Sequence, residues 1–122
     1  MKRAEQSQWG EGGGEARPHV FSVSELSREV ERRLAALGRV AVEGEVSQLK
    51  HAGSGHVYFG LKDLDALLSC AIWKSRVPTA LRFALEEGMR VVCHGELDVY
   101  KPRGTYTLIV ERVEARGAGD LL

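Results

Sequence analysis

The spacing of hydrophobic positions changes along this chain, and each change marks an element. Leu26, Val30, Leu34 and Leu37 recur at helical spacing, while Glu29, Glu31, Arg32 and Arg33 fall elsewhere on the wheel. Ser22 with Glu25 three residues on forms a capping box, Phe21 and Leu26 stand at the staple positions, and Gly38 follows as a stop. The pattern predicts an amphipathic helix over 23–37. Beyond it the period falls to two. Val40, Val42 and Val46 alternate with polar residues, and Gly44 stands where a Cβ would obstruct a bend, the mark of a corner where a sheet curls.

The stretch Gly55-His-Val-Tyr-Phe-Gly-Leu-Lys-Asp63 alternates strictly. Val57, Phe59 and Leu61 point to a core; His56, Tyr58, Gly60 and Lys62 point to water, with Gly60 leaving room for something to approach. After a turn at 63–66, Leu68, Cys70 and Ile72 face inward, and Leu67, Ser69, Ala71 and Trp73 outward. Pro78 precedes Leu81, Phe83, Ala84 and Leu85, which predict a short helix over 79–87 ending at Gly88. A strand over 90–100 turns Val91, Cys93, Gly95 and Leu97 inward. Pro102 and Gly104 make a turn, and a last strand over 105–114 contains Tyr106, Leu108, Ile109 and Val110. Helix, three strands, short helix and two strands, with a glycine in the first strand, is the layout of a five-stranded OB-fold barrel, a mainly β class.

Length and composition permit one domain with a real core. Residues 1–18 contain Gly10, Gly12, Gly13 and Gly14 among polar residues, with Trp9 the one large apolar side chain, and read as a disordered tail ahead of a domain at 19–122. Seventeen basic and seventeen acidic residues cancel, so a polyanionic partner requires locally concentrated charge. No apolar run is long enough to span a bilayer, and no signal-peptide core opens the chain, so the expected compartment is the cytoplasm and no membrane partner is expected. Cys70 and Cys93, mid-strand among apolar neighbours, read as buried free thiols.

That local concentration emerges once the strands are laid out. In an OB fold the binding face is strands two and three, flanked by the loops joining strands one to two and four to five. Those loops are 50–55 and 101–104, both basic. Tyr58 and Trp73 share one sheet face, fringed by Lys62 and Lys74, which is the pattern of a base-stacking platform; the competing reading is cross-strand packing beneath a covering helix. Lys50, Lys101 and Arg103 are candidate phosphate contacts, against ordinary solvated loop charge. His51 and His56 lack the cysteine or carboxylate partners of a metal site, and border the groove instead. Ser47, Ser54 and Ser69 show no base arranged beside them, and Asp63 with Asp65 suits turn geometry. No catalytic residue, metal site or cofactor is expected within these residues.

Five segments together resemble the N-terminal domain of the large subunit of bacterial exodeoxyribonuclease VII. They are Phe21-Ser-Val-Ser-Glu-Leu26, Val42-Glu-Gly-Glu-Val-Ser47, the 55–63 strand, Cys70-Ala-Ile-Trp73 and Tyr100-Lys-Pro-Arg-Gly-Thr-Tyr106. The resemblance runs from about residue 20 to the end, in order and at compatible spacing. It implies an OB domain that captures single-stranded DNA for exonucleolytic degradation, with a small helical subunit as partner. It also implies a much longer downstream region carrying catalysis. The matching segment lies outside these residues, so no catalytic position is carried over, and the chain by itself is expected to be non-catalytic. Two rivals stand beside this reading: a protein-interaction module using the 23–37 helix, and a complete small hydrolase.

Overall fold

The computed structural model describes residues 18–100 and 102–117. Helix α1 spans Val23–Ala35, and the capping box at its start is complete: Ser22 Oγ accepts from Glu25 N and Glu25 accepts from Ser22 N. Five strands follow: β1 (Val40–His51), β2 (Val57–Lys62), β3 (Leu67–Ile72), β4 (Arg90–Tyr100) and β5 (Thr105–Arg116). They close into a barrel in the order β1-β2-β3-β5-β4, antiparallel except for the β3–β5 pair. Closure removes every free sheet edge.

β1 closes the barrel by pairing with β4 through Val40–Glu45 and with β2 from Glu45 onward. Gly44 stands at the switch. A Cβ there would lie 2.9 Å from Leu61 Cγ and 2.9 Å from the Lys62 carbonyl oxygen, so the corner closes because the side chain is missing. Gly95 plays the same part in β4. It sits at a bulge against β5, and a Cβ would fall 2.0 Å from the Ile109 carbonyl oxygen.

The interior is built from the alternation in the strands. Val57, Phe59 and Leu61 of β2, Cys70 and Ile72 of β3, Val91 and Cys93 of β4, and Leu108 and Val110 of β5 are all buried. Both cysteines are free thiols; contact with Cys93 and then burial push the Cys70 thiol well above its ordinary pKa.

The segment between β3 and β4 departs from expectation. In place of a helix over 79–87, a single 3-10 turn at Lys74–Arg76 runs into the four-residue helix α2 (Val77–Ala80), with Pro78 inside its first turn. Residues 81–89 are irregular. The reason is legible in their burial: Leu81 and Phe83 are half-buried and Leu85 buried, while Arg82, Ala84 and Glu86 are exposed. That is a period of two, the pattern of an extended chain that plugs the barrel end. Gly88 N donates to Val46 O and Val46 N to Met89 O, tying this plug to β1. The expected tail at 1–18, including Trp9, falls almost wholly outside the described residues.

Candidate nucleic-acid interface

The outward positions of β2 and β3 carry the aromatic cluster. Tyr58 on β2 stands opposite Ala71 on β3, and Ala71 stands opposite Ile109 on β5. Trp73 follows the end of β3. Its ring lies 5.1 Å from His56 and 6.4 Å from Tyr58, both edge-on, and His56 and Tyr58 are 6.2 Å apart. Tyr58 and Trp73 keep 38% and 40% of their surface in water, so no helix covers them. Edge-on packing leaves ring faces open while each ring steadies its neighbours.

His56 also has a scaffolding part that its sequence position does not reveal. Its Nδ1 accepts a hydrogen bond from Lys74 N at 2.8 Å, which ties the start of β2 to the end of β3. The Lys74 stem lies over Gly55, where a Cβ would meet it at 3.0 Å.

The basic residues separate into two groups. Lys50 is not in a loop: with His51 it ends β1, and it pairs directly with Tyr58, so it projects from the aromatic face. Lys74 and Arg103 are exposed, one beside Trp73 and one in the β4–β5 turn. Lys50, Lys74 and Arg103 form no ion pair among the described residues, unlike Arg32 and Arg33 with Glu29, Arg39 with Glu111, and Arg112 with Glu114. Arg112, and then His94, hold the Glu114 carboxyl below its usual range. Lys62 shares the face of Tyr58 but stands four residues along the strand. It is roughly 13 Å away at about 3.3 Å per residue, opposite Glu45 and beside Asp63 and Asp65. His51 pairs with the core residue Val57, so it leaves β1 on the other face. Lys101 lies outside the described residues.

Two outward positions differ from expectation. Ala71 faces outward by register yet is 0% exposed, because Tyr58, Trp73 and Ile109 crowd around it; it is floor rather than surface. The space above Gly60 is filled by the chain itself: a Cβ there would meet Leu67 at 2.7 Å, Ser47 at 3.0 Å and Gln48 at 3.3 Å.

Beside the rings the face opens into a cavity of about 460 Å³, bordered by Tyr58, Trp73 and Ala71, by Gln48 of β1, and by Thr107 of β5 and Asp98 of β4. Sequence reasoning missed the last three. Gln48 has φ +54° at a bulge in β1, where Leu49 N loses its strand partner and donates instead to Glu87 Oε2 at 2.5 Å. Asp98 lies opposite Thr107, one step along β5 from Leu108, the partner of Cys70. The alternation that turns Gly95 and Leu97 inward also turns Asp98 outward, but nothing local says that β5 lies beside β3 and brings Asp98 and Thr107 to this face.

A concave, aromatic-walled face on a closed five-stranded barrel, with exposed cations at its margins, defines an OB-type binding domain. Residues 21–114 match the model of the family described as an OB-fold nucleic acid binding domain, and the chain belongs to that family. Its curated relatives carry the name exodeoxyribonuclease 7 large subunit. Those from Nautilia profundicola, Clostridium botulinum (strain Okra) and Rhodospirillum centenum are 41%, 44% and 46% identical over 83–84% of this chain. The chain spans only 23%, 26% and 20% of those relatives' lengths. Among solved structures, asparaginyl-tRNA synthetase from Pyrococcus horikoshii shares the fold, at a TM-score of 0.52 and 19% identity over 63% of this chain and 19% of that one.

Proposed function

We propose that this domain captures single-stranded DNA and presents it for exonucleolytic degradation by a region of a longer protein. The observation that carries this is the cluster of exposed Tyr58 and Trp73 with half-buried His56 at β2 and β3, flanked by Lys50 and Lys74, which form no ion pair among the described residues. Unpaired bases have free faces to stack on such rings, whereas a duplex hides them. The names of the relatives supply the downstream step, strand degradation, and the subunit context. A small helical subunit and the catalytic region are then the protein partners. Capture is binding alone: it needs no cofactor, metal or nucleophile from this domain, which acts without catalysing.

The test is a titration of labelled single-stranded against duplex DNA at several salt concentrations. Tight, strongly salt-dependent binding of the single strand and weak binding of the duplex is the expected result. Equal binding of both refutes the stacking mechanism.

A second reading rests on α1. None of its residues is buried, and Leu26 and Val30 on its apolar side, with Phe21 before it and Leu37 after it, are 42–57% exposed. An apolar stripe left in water is the surface of an assembly module, seated on another part of a longer chain or on a subunit. Salt-insensitive association of the domain without DNA binding supports that reading over the first.

A further inference from the structure

The cavity beside the rings is chemically lopsided, and this carries a reading that rests on the capture function and goes beyond it. Its aromatic wall suits any base. Its β4 side holds a carboxylate. Asp98 Oδ1 accepts from Val99 N at 2.9 Å, which sets the plane of the carboxylate and leaves Oδ2 and a second lone pair of Oδ1 available. A carboxylate repels phosphate, so the part of a nucleotide that suits it is a base edge rich in N–H donors. Guanine alone among the four bases offers two adjacent donors, N1–H and the N2 amino group, spaced to meet the two oxygens of one carboxylate. Cytosine and adenine each offer one amino group. Thymine offers a single N–H between two carbonyl oxygens, which the carboxylate repels.

Gln48 completes the arrangement. Gln48 borders the cavity from β1 and Asp98 from β4, with β2, β3 and β5 between them, and the Leu49–Glu87 hydrogen bond holds the bulge that carries Gln48. An amide can donate to the guanine carbonyl oxygen from its N7 side while a carboxylate accepts from the neighbouring N1–H and N2 amino group. We infer that the cavity is a guanine-preferring subsite, with Asp98 as the specificity-determining residue, Gln48 as its partner and Tyr58 with Trp73 as the stacking wall.

The test uses the full chain and oligothymidylates of about 12 nucleotides, the span of one OB domain. Each carries one central dG, dC, dA or deoxyinosine, or none; a single dG avoids self-association. The dG strand should bind about ten-fold more tightly than the all-thymine strand. Deoxyinosine, which keeps N1–H but lacks the N2 amino group, should lose most of that gain. Asp98→Asn removes an exposed charge, and its fold is checked by Tm. It should bring dG and dT within about two-fold of each other while all-thymine binding holds or tightens. Equal affinities for dG and dT in the unaltered chain overturn the subsite and leave capture standing. So does an Asp98→Asn variant that weakens every strand alike. No binding of any strand overturns both.

Discussion

Truncating Trp73 separates a surface that binds from a surface that merely packs. The indole is 40% exposed and sits outside the barrel, edge-on to His56 at 5.1 Å and to Tyr58 at 6.4 Å. Trp73→Ala therefore removes two ring contacts worth roughly 0.5–1.5 kcal/mol each beyond the area they bury, and opens no cavity in the core. The same change removes a stacking partner, which costs about 1–3 kcal/mol per base, or roughly five-fold to over a hundred-fold in affinity. Tyr58→Ala should behave alike. Phe59, the next residue, is 4% exposed and faces the core. Phe59→Ala should cost about 3–5 kcal/mol of stability, because it leaves both lost transfer energy and a void. The assay pairs thermal or urea unfolding of each variant with fluorescence anisotropy of a labelled single strand, measured where each variant is folded. Folded Trp73→Ala and Tyr58→Ala proteins that bind as tightly as the parent would refute the reasoning. The rings would then serve only to cover Ala71.

Three further outcomes follow from the geometry. Gly95→Ala should prevent or severely weaken folding, since its Cβ would fall 2.0 Å from a backbone oxygen that a closed barrel holds in place; loss of the cooperative unfolding transition checks this. Lys50→Ala should weaken binding of all sequences similarly and lower the slope of log affinity against log salt by less than one unit, read from titrations at several salt concentrations. The Cys70 thiol is pushed up by Cys93 and by burial, so its contribution to stability is fully present below the unfolded thiol pKa of about 8.5 and is lost as pH rises above that value. The unfolding free energy should decline above about pH 8.5, by at most about 1.4 kcal/mol per pH unit for this group, and more shallowly in Cys70→Ala, read from urea unfolding at several pH values.

The sequence by itself determined which face of each strand is core. Val57, Phe59 and Leu61, then Cys70 and Ile72, alternate with polar or aromatic neighbours, and a period of two admits one assignment once one face must be dry. It also announced the start of α1 through Ser22 and Glu25, and the barrel corner at Gly44, because caps and close approaches depend on local residue type. The segment 81–89 was misread: Leu81, Phe83, Ala84 and Leu85 over a short span fit a helical turn as well as an extended plug, and only the open barrel end selects the latter.

The site was legible in half. Aromatic residues at outward positions of adjacent strands place Tyr58 and Trp73 together whatever the rest of the chain does. Tertiary structure decided everything that depends on closure. Bringing β5 beside β3 turned Ala71 into a floor and set Asp98 and Thr107 on the border of the cavity. The bulge at Gln48 extended β1 so that Lys50 meets Tyr58 while His51 leaves on the other face, and it left Lys62 among acids. These are contacts between residues far apart in the chain, such as Ala71 with Ile109. Their partners are chosen by strand order and by one-residue shifts at bulges, and no local pattern encodes either.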